Sequence, residues 1–152
     1  MGMTWTEEQK RVIDSEGKDI LVSAAAGSGK TAVLVERIIR KITDQAHPVD
    51  IDRLLVVTFT HAAAAEMKER IAAALDERLA EDPENILLER QSSLLRSAQI
   101  TTIHSFCLYV IRNHFNEIDL DHSFRIADVM ELALIRSDLM DELLEEQYAQ
   151  GS

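Results

Sequence analysis

A single cysteine, Cys107, occurs in the 152 residues, with two prolines, five glycines and one tryptophan. One thiol cannot close an internal disulfide, so the expected home is a reducing, cytoplasmic interior. No run approaches the roughly 18 consecutive apolar residues that a membrane helix needs, and no membrane partner is expected. The opening residues, Met1 to Glu8, turn polar and acidic at once, unlike a secretory signal. The five histidines are scattered, none at ligand spacing from another or from Cys107, which argues against a structural metal. No low-complexity linker and no internal repeat are visible. Positive charge is scarce as well: 16 lysines and arginines face 27 acids, a net −11. That balance argues against a protein that grips nucleic acid by bulk electrostatics. Ten of the acids lie between Glu117 and Ser152 against only Arg125 and Arg136, so this segment carries −8 and residues 1–116 only −3. In the front of the chain, charge neither supports nor forbids a nucleic-acid partner.

What the chain does have is apolar content, 46%, enough for a core in one domain or part of one. Thr6-Glu7-Glu8-Gln9 ahead of Val12-Ile13 reads as a short capped helix ended by Gly17. Asp19-Ile20-Leu21-Val22-Ser23 is a short apolar run, expected to be a buried strand. After a Gly/Ala/Ser loop, Val35, Ile38, Ile39 and Ile42 repeat at the three-to-four spacing of one helical face, and His47-Pro48 breaks the pattern. Residues 53–59 form a second candidate strand, continuously apolar, as for a strand covered on both faces. An alanine-rich helix is expected over about 62–81, stopping before Pro83, and another over about 84–96. Gln99 to Thr102 reads as a third strand. Ile103, Phe106, Cys107, Val110, Ile111 and Phe115 mark one face of the next helix, with Phe106 and Cys107 expected in the core. Residues 116–123 are a polar loop, and 127–148 an acidic amphipathic helix with a solvated face. Strands alternating with helices define an α/β fold with a parallel sheet.

Between the first strand and the helix after it stands Ala24-Ala25-Ala26-Gly27-Ser28-Gly29-Lys30-Thr31. That is the context a phosphate-binding loop requires. Two glycines let the backbone curl so that successive N–H groups converge on phosphate oxygens, and the helix offers its positive end to the same anion. Lys30 is placed to reach the β- and γ-phosphates, and the Thr31 hydroxyl to ligate Mg²⁺. Ala24 stands where the common motif has its first glycine. The plainer alternative, a flexible turn that happens to precede Lys-Thr, does not explain the strand before and the helix after.

Three further segments surround the loop in order: Gln9 in Trp5-Thr6-Glu7-Glu8-Gln9-Lys10, then Val57-Thr58-Phe59-Thr60-His61-Ala62, then Thr102-Ile103-His104-Ser105-Phe106-Cys107. This series resembles the N-terminal motor domain of UvrD/Rep-like superfamily-1 DNA helicases. The runs 23–34 and 124–128 look closest to the larger motor-bearing chains of AddAB-type bacterial helicase–nucleases. The resemblance covers essentially the whole chain. It implies a RecA-like P-loop core, partial and followed by the start of a helical insertion: residues 1–126 as part of motor subdomain 1A, and 127–152 as the start of subdomain 1B. It also implies ATP and Mg²⁺ as cofactors and single- or double-stranded DNA as substrate. An AddB-like second chain is the implied partner, and double-strand break repair and recombination the implied setting.

Carried over by position, Gln9 matches the glutamine that reads the adenine edge, which suits a carboxamide able to donate and accept at once. Equally, Gln9 is the third helical residue of a capping box with Thr6. Phe59, Thr60 and His61 match a segment that touches single-stranded DNA, although the family usually has asparagine where His61 stands. Without the resemblance, Phe59 reads as strand-end core and Thr60 as a helix cap. Thr102, His104 and Ser105 match a second DNA-contacting turn. No apolar run ends in the Asp-Glu pair that ATP hydrolysis requires, and neither arginine fingers nor a nuclease signature is present, so the chain is expected to be a truncated, catalytically inactive piece. A P-loop small-molecule kinase, another UvrD-like helicase and an interaction module with a vestigial loop remain the alternatives.

Overall fold

In the computed structural model, which describes residues 4–25, 27–47 and 49–150, most helices start where a short polar side chain can satisfy a free backbone N–H. Helix α1 (Glu7–Asp14) is capped by Thr6 in a full capping box with Gln9. Helix α3 (His61–Glu81) has Thr60, whose hydroxyl accepts from the Ala63 N–H at 3.1 Å. Helix α4 (Ile86–Leu94) has Asn85, whose side chain accepts from the Leu88 N–H at 3.2 Å. Helix α2 (Lys30–Ile42) is the exception: it begins at Gly29 with no side-chain cap.

Strands β1 (Leu55–Thr58) and β2 (Gln99–Thr102) form a parallel pair, in register from Leu55 beside Gln99 to Thr58 beside Thr102. Helices α3 and α4 make the crossover that parallel strands need. The core lies among α2, α3 and α4. Ile38, Ile39 and Ile42 of α2 meet Met67, Ile71 and Leu75 of α3, closed by Ile51, Leu88 and Leu95. Ile39, Ile42, Ile71 and Leu75 have no exposed surface, and each such side chain contributes roughly 1.5–3 kcal/mol through burial. The helical spacing of α2 thus predicts its buried face correctly. Across the α2–α3 seam, Arg78 binds both oxygens of Glu36, at 3.0 and 3.1 Å.

A polar clip holds the chain as it enters β1. Gln91, fully buried, accepts from the Ile51 N–H at 2.9 Å and donates to Asp50 at 2.9 Å. Arg90 grips the same carboxylate through two nitrogens, at 3.0 and 2.7 Å.

The chain divides into two units, at residues 110 and 111. Helix α5 (Ile103–Asn113) follows β2 directly. In the second unit, α6 (Val129–Gln150) starts two residues later than the sequence pattern predicts, because Asp128 is its cap. The Asp128 carboxylate accepts from Met130 and Glu131 N–H groups at 2.8 and 2.9 Å, and Glu131 returns a bond to the Asp128 N–H at 3.0 Å. Its acids are solvated as expected, and its leucines and methionines are exposed as well.

Several expectations change. Residues 19–23 are extended but pair with no strand among the described residues, and Leu21 is 97% exposed. The second candidate strand is shortened to 55–58 by a 3-10 turn at Ile51–Arg53. It is not covered on both faces, since Leu55 and Val57 are exposed. Helix α5 buries no residue; Phe106 is half-buried and Cys107 is exposed, not a core thiol. In each case the apolar pattern is present and the surface that would cover it is not among the described residues. Helix α2 ends at Ile42, before His47; Pro48 lies outside the described residues. Among the described residues no helix is long and apolar enough to cross a membrane.

The clip generates a pH test. Hydrogen bonds from Arg90 and then Gln91 hold the Asp50 carboxyl at about 2, below its usual 3.8. Because the folded value is the lower one, its contribution is present above pH ~4 and is lost as pH falls towards 2. Chemical denaturation between pH 5 and 2 is expected to show a shallower loss of stability in Asp50→Asn than in the wild type. Gln91→Leu is expected to lose about 1–3 kcal/mol at neutral pH by stranding the Ile51 N–H.

Candidate nucleotide and nucleic-acid sites

The loop from Ala24 to Gly29 leads straight into the uncapped end of α2. The Ser28 N–H donates to the Ala25 carbonyl at 3.3 Å, closing a turn. Gly27 and Gly29 sit at φ +78° and +80°, a region that costs an L-residue roughly 1–2 kcal/mol. A Cβ at Gly27 would meet nothing within 4 Å, so the demand there is on conformation alone. At Gly29 a Cβ would also lie 3.4 Å from Gln9 Nε2. Ala26 lies outside the described residues. Lys30 folds back over the loop, its Nζ donating to the carbonyls of Ala24 and Ala25, both at 2.7 Å. Thr31 follows on the exposed first turn. Curled glycines, free helical N–H groups, an ammonium and a neighbouring hydroxyl suit a polyphosphate with a divalent cation. Among the described residues no cluster of three His, Cys, Asp or Glu side chains offers a protein-only metal site.

Gln9 meets the loop from the other side. Its Oε1 accepts from the Thr6 N–H at 2.9 Å, and its Nε2 donates to the Ser28 carbonyl at 3.3 Å. The capping role is therefore real, and it is joined by a direct tie to the loop. A primary amide has two N–H groups and two lone pairs, so one of each remains for a ligand. A cavity of about 530 Å³ opens here between α1, residues 20–24 and α2.

Sequence reasoning missed Arg37. It lies on the cavity wall with Lys30, Val33 and Leu34, positions three, four and seven apart that share one helical face. Its Nη1 donates to the Val12 and Ile13 carbonyls at 2.5 and 3.1 Å, the last free acceptors of α1. Arg40 pairs with Asp14 at the same helix end. Counting along the helix from Lys30 is the signal that would have found Arg37.

The candidate nucleic-acid residues collect at one sheet edge. Because Thr58 and Thr102 are paired in register and the strands are parallel, 59–61 and 103–105 leave the sheet side by side. Phe59 is 98% exposed, not strand-end core. Thr60 is the α3 cap, and His61 stands exposed on the first turn. His104 is exposed and Ser105 half-buried. Thr102 differs from the open hydrogen-bonding group expected of it, being 3% exposed. Its hydroxyl donates to Ser105 Oγ at 3.0 Å and accepts from the Ser105 N–H at 3.2 Å. A hydroxyl so engaged stiffens the turn and has little left for a ligand.

The likeness to known proteins runs the length of the chain. The profile of the UvrD/REP helicase N-terminal domain matches residues 5–151, and the chain belongs to that family. Over 99% of its length it is 62% identical to the A chain of the ATP-dependent helicase/nuclease of Bacillus licheniformis. The equivalent proteins of Lachnoclostridium phytofermentans and Geobacillus thermodenitrificans are each 60% identical, over 98% and 99% of the chain. The chain spans only 12%, 11% and 12% of these relatives.

The hold on α1 is testable by itself. Thr6→Ala removes the hydroxyl half of the capping box and is expected to cost about 0.5–2 kcal/mol, read as a lowered melting temperature.

Proposed function

We propose that the chain is the nucleotide-binding front of an ATP-dependent DNA helicase motor, within the motor-bearing component of a two-component helicase–nuclease. The observation that carries this reading is the curled loop 24–29 feeding an uncapped, rigidly packed helix with Lys30 drawn across it. Lys30 exchanges two neutral carbonyls for the β- and γ-phosphates, a stronger charge-assisted pairing. The loop N–H groups and the first turn of α2 hold the remaining phosphate oxygens. Mg²⁺, with Thr31 as its protein ligand, neutralises charge on the phosphates when bound. Gln9 uses its spare N–H and lone pair on the adenine edge.

The two parallel strands and the extended run 19–23 are read as parts of a RecA-like sheet. Residues 1–126 belong to that motor subdomain, and 127–152 begin a helical insertion. Single-stranded DNA lies across the shared sheet edge. Phe59 stacks on a base, and Thr60, His61, His104 and Ser105 meet the backbone, on a turn that Thr102 stiffens. The relatives are named as one lettered component of a helicase/nuclease, which supports a second, AddB-like partner. Double-strand break repair and recombination in the cytoplasm is the setting that fits a helicase–nuclease.

Lys30→Ala is expected to weaken Mg-ATP or Mg-ADP binding by about 1.5–3 kcal/mol, roughly ten- to a hundredfold. Equal calorimetric affinities for variant and wild type would overturn the loop assignment. Phe59→Ala is expected to lose about 1–3 kcal/mol of single-strand affinity, the value of one stacked base, by fluorescence anisotropy at fixed salt. No loss there would leave Phe59 without a role in DNA binding.

A further inference from the structure

Helix α1 is eight residues long and buries one side chain, Ile13. Packing alone holds so short an element poorly. Polar contacts do much of the rest, and they lie at its two ends. At the C-terminal end the Arg37 guanidinium closes on the Val12 and Ile13 carbonyls, at 2.5 and 3.1 Å. At the N-terminal end Gln9 reaches the Ser28 carbonyl at 3.3 Å, near the limit for such a bond. A small rotation of α1 about its anchored end breaks that reach. Arg37 in turn sits on α2, two turns beyond Lys30, on the helix that also carries the phosphate loop.

We propose that Arg37 is a positioning residue for base recognition, fixing α1 so that the Gln9 amide is held at the loop and turned towards the base. The inference rests on the reading of Gln9 as the adenine contact. Arg37 acts through backbone carbonyls and Gln9, and touches neither phosphate nor base. A cation at a helix C-terminus is favourable in itself, so loss of stability alone would not distinguish this role from a scaffold. Selectivity between bases does.

The experiment measures ATP and GTP affinities by competition against a fluorescent nucleotide, on the intact chain, for the wild type, Gln9→Ala, Arg37→Met, Arg37→Lys and the Gln9→Ala/Arg37→Met double variant. Arg37→Met keeps the length of the side chain and removes its donors. The ATP-to-GTP ratio is expected to fall about three- to tenfold in Gln9→Ala, the value of one hydrogen bond, and by a similar factor in Arg37→Met. The double variant is expected to match Gln9→Ala alone, because Arg37 has nothing further to position. Arg37→Lys, which still reaches a carbonyl, is expected to recover part of the ratio, and it carries the test if Arg37→Met does not fold.

A Gln9→Ala chain with unchanged base preference overturns the adenine reading and this inference together. A narrowed ratio in Gln9→Ala with an unchanged one in Arg37→Met, or in both Arg37 variants, overturns the inference alone. Equal weakening of ATP and GTP by Arg37→Met marks a purely structural arginine and also overturns it. A further drop in the double variant means that Arg37 contacts the base itself, which equally rules out the positioning role.

Discussion

Burial of Ile39 and Ile42, with no surface left to water, fixes helix α2 in the core, and the position of its first turn follows from that. Every other long helix of the first unit for which a start is defined closes its leading N–H groups with Thr or Asn; α2 leaves them open behind Gly29. A helix end that is mobile and uncapped is a loss of stability. One held rigid by its far side becomes a fixed array of donors, already oriented for an anion. The hydrophobic stripe and the phosphate loop are therefore two ends of one device, and the loop geometry depends on isoleucines more than two turns away.

The sheet works by the same economy of parts. Two strands of four residues are too few to bury either face, as the exposed Leu55 and Val57 show. Their in-phase parallel register nevertheless sends residues 59 and 103 out at a common edge, beside each other. Topology supplies the coincidence; neither segment alone contains it.

Periodicity made α2 legible, since a stripe at three-to-four spacing has one way to be satisfied, and Val35, Ile38, Ile39 and Ile42 satisfy it. Gln99 to Thr102 was legible because a polar-bounded β-branched run of that length has few alternatives. The loop at 24–31 was legible from its flanks, and its glycines adopt the positive φ the motif implies. Residues 19–23 and Cys107 were misread for a common reason. An apolar pattern reports a tendency to be covered, while burial is a property of the neighbour, and one chain's pattern does not contain its neighbour. Thr102 failed differently: a threonine before a helix looks the same in sequence whether its hydroxyl faces out or closes a cap. Arg37 was passed over because a lone cation amid isoleucines reads as surface until the helix is wound and Lys30 is found on its side.

The Lys30 side chain, lying across the Ala24 and Ala25 carbonyls, has a kinetic meaning. The ammonium occupies the mouth of the loop as a tenant of its own backbone, so the curl persists in the nucleotide-free chain. An arriving polyphosphate on the proposed reading displaces a contact; it does not have to fold a peptide around itself. Association then has little ordering entropy to overcome and runs close to the rate of encounter, which shifts control of occupancy to departure. A motor assembled on such a loop would be gated by how fast it lets go.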